Sequence, residues 1–196
     1  MKILRINLVL LFSTIVLFGI LYPLSICGIG LLFQNQAEGL PIIKDNRIIG
    51  YRNIGQKFSE AKYFWGRPSA CDYNPINASP TNFGPTNPVF IEKVKKRIKT
   101  FLTNNPDINQ SDIPSDIVTS SASGIDPDIS INAAIIQIPR IAKIRGIKYA
   151  EIKKLVDEKI QKPLFGILGP AEINVLQLNL SLDNLYEKHY YLNEHK

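Results

Sequence analysis

Side chains able to do nucleophilic, acid–base or metal chemistry are few in this 196-residue chain and poorly placed for it. Its two histidines, His189 and His195, fall in the last eight residues, so neither a serine–histidine–aspartate relay nor a histidine-rich zinc site has material inside a fold. Cys27 lies in an apolar segment and Cys71 in a distant proline-rich stretch; no bond between them is expected, and no histidine beside Cys71 could stabilise a thiolate. Ser121-Ala122-Ser123-Gly124 lacks the leading glycine of a nucleophile turn and reads as serines satisfying a backbone bend. Asp126 to Asn132 begins like a calcium loop, but Ile131 takes the position that needs glycine and Gln137 that of the bidentate glutamate. There is no Gly-Lys-Ser/Thr phosphate loop and no Asp-Lys-Thr-Gly for aspartyl phosphorylation, so no catalytic residue, no metal site and no hydrolysis of ATP by the chain alone is expected.

The elements that would position any site are sharply divided by charge. Lys and Arg number 23 against 17 Asp and Glu, a net +6, yet no charge occurs from Ile6 to Ala37. The 28 residues Ile6–Phe33 exceed the ~20 a helix needs to cross about 30 Å of hydrocarbon. A cleavable signal would have a shorter apolar core and a small-residue cut site. Leu24-Ser25-Ile26-Cys27 resembles a lipidation box, but Ile26 is too large for the position before the cysteine. A retained transmembrane helix is therefore expected over 6–33, with Pro23 able to kink it. Lys2 and Arg5 precede the span and acidic Glu38 follows it, which places residues 1–5 in the cytoplasm and 34–183 outside, ahead of a fraying tail over 184–196.

The outer part reads as a single α+β domain. Pro41 to Ile43 and Arg47 to Ile54 flank Lys44-Asp45-Asn46 as a hairpin would. Gly66 to Pro88 holds five of the thirteen prolines, a loop ringed by the aromatic anchors Tyr63, Phe64, Trp65, Tyr73 and Phe83. Asn87 and Pro88 open a helix with Phe90, Val94, Ile98 and Phe101 at helical spacing. Its basic residues Lys93, Lys95, Lys96, Arg97 and Lys99 read as a solvated face, with no stacking platform for nucleic acid. Ser130 caps a helix running through Ile144 to Gly146 with Pro139 inside it, and Ile152, Leu155, Val156 and Ile160 form the inward face of another, stopped by Pro163. Leu176, Leu178, Leu180 and Leu182 alternate with polar residues, the period of a half-buried strand.

Longer motifs run in order along the chain: Tyr63-Phe64-Trp65-Gly66-Arg67-Pro68-Ser69-Ala70, Tyr73-Asn74-Pro75, Gly84 to Pro88, Ile113 to Pro127, Gln137 to Ala142, and Asn174 to Asp183. Together they resemble the C subunit of the Kdp potassium-transporting ATPases. The resemblance implies an accessory subunit of a bacterial, high-affinity, ATP-driven potassium importer, partnered by a channel-like subunit that carries the ion and a P-type subunit that hydrolyses ATP. It also implies a catalytic chaperone for that P-type subunit, with no cofactor of its own and a nucleotide contact proposed for the glutamine matching Gln137. The charge-derived orientation puts Gln137 on the side opposite cytoplasmic ATP. Departures from the family pattern are the Ala78-Ser79-Pro80 stretch, Asp128 where histidine or asparagine is common, and the shortened Gly169-Pro170. Trp65 and Arg67, at the start of the proline-rich loop, are the candidates for docking a partner. The competing reading is a stand-alone, membrane-anchored extracytoplasmic domain that binds a ligand or acts as an enzyme.

Overall fold

The computed structural model describes residues 1–33 and 39–194, with side chains through Tyr190, and divides into two compact units, Met1–Tyr51 and Arg52–Lys196. In the first unit, α1 (Lys2–Thr14), a wider π-helical stretch (Ile15–Leu21) and α2 (Tyr22–Gly30) form one continuous run of 29 residues with no buried residue, and an 18-residue window within it has mean hydropathy 2.3. The widening immediately precedes Pro23, which has no N–H to donate to Gly19 and whose ring displaces the carbonyl there. Tyr22 accordingly donates five residues back, to Leu17. Two hydroxyls within the run bond to its own carbonyls, Thr14 to Leu11 at 2.9 Å and Ser25 to Leu21 at 2.6 Å, which suits a segment surrounded by hydrocarbon.

The expected hairpin is present as β1 (Pro41–Lys44) and β2 (Arg47–Tyr51), with Lys44 opposite Arg47 and Pro41 opposite Tyr51. Its two-residue turn puts Asp45 and Asn46 at φ 50° and 59°, the left-handed pair that matches the twist of antiparallel strands.

In the second unit, α3 (Pro88–Asn104) begins as expected, with the Asn87 side chain accepting from the Val89 N–H at 2.9 Å. Strand β3 (Asp128–Ser130) pairs antiparallel with β4 (Glu172–Asn174). Ser130 caps α4 (Ile131–Ile135) through the Ala133 N–H. The single helix expected from Ser130 to Ile144 is instead broken at Ile136 and Gln137, because Pro139 cannot donate to Ile135, and resumes as α5 (Ile138–Arg145), which ends at left-handed Gly146. Then α6 (Tyr149–Glu158) buries Ile152 and Val156.

The strand expected over Leu176 to Leu182 is incorrect. These residues lie in α7 (Val175–Glu194), whose start is capped by Asn174 accepting from the Gln177 N–H at 3.1 Å and which continues through Asp183 into the segment expected to fray. Val175, Leu178 and Leu182 follow helical spacing, and Leu176 and Asn179 are buried as well. A helix enclosed over much of its circumference accommodates leucines two apart as readily as three or four apart. The core gathers Ile129, Ile138, Ile141, Ile152, Val156, Leu178 and Leu182 around fully buried Phe64, so the domain is α+β as expected.

Candidate functional site

The residues singled out in the sequence meet at the stretch just before the proline-rich loop. Two buried amides grip consecutive backbone units there. Asn179, from α7, accepts from the Phe64 N–H at 2.9 Å and donates to the Phe64 carbonyl at 3.0 Å. Gln137, from the break between α4 and α5, accepts from the Trp65 N–H at 2.8 Å and donates to the carbonyls of Trp65 (3.2 Å) and Ala133 (2.9 Å). Each amide therefore serves as a strand partner would for a segment that has no strand beside it.

The Oε1 of Gln137 also accepts from Arg140 Nη2 at 2.7 Å. Arg140 donates further to Asn105 Oδ1 (3.0 Å) and to the carbonyls of Ala61 and Tyr63, and its guanidinium carbon lies 4.4 Å from the centre of the Trp65 ring. Burial lowers its pKa to about 10, since removal from water disfavours the cation. Carbonyl dipoles and the ring face hold the charge. Sequence reasoning missed Arg140, Asn179 and Asn105. The first two stand inside quoted motifs, and the signal available was a polar residue on an otherwise apolar helix face.

Arg67 and the start of the loop are equally anchored. Arg67 Nη1 donates to Asp126 Oδ2 at 2.9 Å, both side chains being about a quarter exposed (27% and 26%), while its Nε is buried without a partner. The Tyr73 hydroxyl donates to the Arg67 carbonyl, and burial pushes its pKa up to about 12. Ser69 Oγ accepts from the N–H groups of Cys71 (3.1 Å) and Tyr73 (2.8 Å). The Ser69 hydroxyl lowers the pKa of the unpaired Cys71 thiol. Gly55 is required where the chain passes Asp126, because a Cβ there would lie 2.4 Å from the Asp126 carbonyl oxygen.

Between this stretch and α3 opens a pocket of about 430 Å³. Phe58, Trp65, Phe101 and Ile117 give it an apolar lining, and Lys57, Arg67, Lys96 and Arg97 supply cations against a single lining carboxylate, Asp72. Lys57 pairs with Asp72 at 2.6 Å, and Arg97 donates to the Val118 carbonyl and to Ser120 Oγ. The arrangement suits an apolar group carrying a negative charge. Among the described residues no cluster of His, Cys, Asp or Glu could hold a metal ion. The structure thus brings Gln137 beneath Trp65 and sets Trp65 and Arg67 on one pocket wall, but Gln137 itself is fully buried.

Such features define a class: an α+β domain in a chain with, among the described residues, one helix long and apolar enough to cross a membrane, its conspicuous polar side chains engaged in holding its own loop. A family model described as KdpC, K+-transporting ATPase, c chain, matches residues 4–184, and the chain belongs to this family. It is 47% identical over 172 residues to a potassium-transporting ATPase KdpC subunit of Flavobacterium johnsoniae, covering 88% of this chain and 92% of that one. The corresponding subunit of Flavobacterium psychrophilum is 44% identical, with 90% and 95% covered, and that of Caldanaerobacter subterraneus 46%, with 89% and 91% covered.

Proposed function

We propose that this chain is a non-catalytic accessory subunit of a high-affinity, ATP-driven potassium importer in the bacterial cytoplasmic membrane. It supports assembly with the channel-like subunit and acts as a catalytic chaperone for the P-type subunit. Its N-terminus is cytoplasmic, a single helix crosses the bilayer, and the α+β domain lies outside. The observation that carries the reading is the pocket beside Trp65, where Lys57, Arg67, Lys96 and Arg97 outnumber the single lining carboxylate and suit a partner's carboxylate. ATP belongs to the P-type subunit. Gln137 acts by positioning: both ends of its amide hold the backbone of Trp65, and a nucleotide would have to displace those bonds.

The test is recovery of the whole complex with altered Arg67 or Asp126. Arg67→Ala is expected to lower co-purification with the channel-like subunit by about tenfold, a typical consequence of removing an interfacial arginine. Asp126→Asn, which weakens the internal pair but keeps the guanidinium, should assemble better than Arg67→Ala. Equal losses would mean that Arg67 only braces its own loop. Labelling of the Gln137 region by a photoreactive ATP analogue in the assembled complex would replace positioning with direct contact.

A further inference from the structure

Residues 163–171, Pro-Leu-Phe-Gly-Ile-Leu-Gly-Pro-Ala, contain no charge and form a small protruding hairpin between α6 and β4. Leu164 and Leu168 face each other through a pair of backbone hydrogen bonds of 2.9 and 3.0 Å, and the Gly166 N–H donates to the Pro163 carbonyl at 2.9 Å. The stalk below is also paired, Gln161 with Glu172, and so joins the tip to the β3–β4 sheet. On this framework Leu164, Phe165, Ile167 and Leu168 are 63%, 84%, 81% and 57% exposed. Together they present on the order of 500 Å² of apolar surface, as much as the largest patch an ordinary monomer carries.

The backbone adds a second observation. Phe165 sits at φ 54°, the left-handed region, which a bulky residue occupies only under strain. Glycine or asparagine would fit that position better, so the exposed ring is held against a local conformational preference.

We infer that this hairpin is an interaction surface that inserts into an uncharged, apolar cleft on another subunit of the pump. The inference rests on the accessory-subunit reading, since a subunit has permanent neighbours and permanent interfaces are the more apolar ones. Charge favours a protein cleft over a lipid surface. The tip has no tyrosine or tryptophan, and its flanking charges, Lys162 and Glu172, are opposite in sign, unlike the basic and aromatic surround of a segment seated among anionic headgroups. Rigidity argues the same way, because a tip already fixed by hydrogen bonds loses little freedom on docking.

Two measurements on the intact pump test it. Phe165→Asn with Ile167→Asn should leave the melting temperature of the full-length chain unchanged or raised, because both side chains are exposed and asparagine accepts a left-handed φ, while recovery of the complex falls about tenfold. A benzophenone side chain placed at position 165 should cross-link to another pump subunit. Normal recovery of the double variant, or cross-linking only to lipid or to a second copy of the chain, would overturn the inference. If the remaining subunits assemble and turn over without this chain, the accessory reading itself fails. If they need the chain but not its tip, only the docking hairpin fails.

Discussion

Asp128 is the carboxylate most altered by its setting. Burial, then the neighbouring Glu172, pushes its pKa up to about 6, against the bond it accepts from Asn174 at 3.2 Å. Between the ordinary carboxyl value of about 4 and this raised value, the unfolded chain ionises while the native chain keeps its proton. The native state then binds more protons, so stability falls as pH rises from about 4 to about 6 and levels off above. Asp128→Asn removes this loss and keeps an acceptor for Asn174. Relative to the parent, the variant should gain about 1–2 kcal/mol between pH 4 and pH 7, allowing for solvent screening, readable as a growing difference in melting temperature. A difference that stays constant with pH would contradict the assignment. Gln137 shows what single residues leave illegible. Its motif singled it out, but its partner Trp65 lies 72 positions away, and only the folded chain reveals that the amide is enclosed.

At the level of elements, legibility depended on how many arrangements a pattern admits. An uncharged run from Ile6 to Phe33 admits one inexpensive solution, a long helix, and the structure has one over Lys2–Gly30. Asn87 and Pro88 opened α3 at the expected place because cap and first-turn chemistry are local. Leu176 to Leu182 was ambiguous: alternation fits a strand, but the Asn174 cap and burial on several sides of α7 select a helix. The break at Ile136 and Gln137 was foreshadowed by Pro139, though not the use of its Gln137 amide as a clamp. For the apolar helix, Lys2 and Arg5 before it predict a cytoplasmic N-terminus, so protease added to intact spheroplasts should digest the domain after Glu38. Protection until lysis would reverse the topology.

At the scale of the whole molecule, the second unit combines one firmly held stretch with two surfaces open to solvent. Its core amides and Arg140 secure the Phe64–Trp65 stretch, the pocket beside that stretch carries an excess of positive charge, and an apolar hairpin projects from the β3–β4 sheet. Two chemically different surfaces, one cationic and one apolar, suit contacts with larger neighbours, while the described residues assemble no metal cluster. Membership of the potassium-transporting ATPase family supplies the setting in which those surfaces have a use. The central claim, that the chain enables a pump without doing its chemistry, is tested most directly by potassium-stimulated ATP hydrolysis of the purified complex prepared with and without it. The account predicts no hydrolysis by the isolated chain and loss of assembly or turnover when it is omitted. Robust hydrolysis by the purified chain, or undiminished activity of a complex lacking it, would contradict the account.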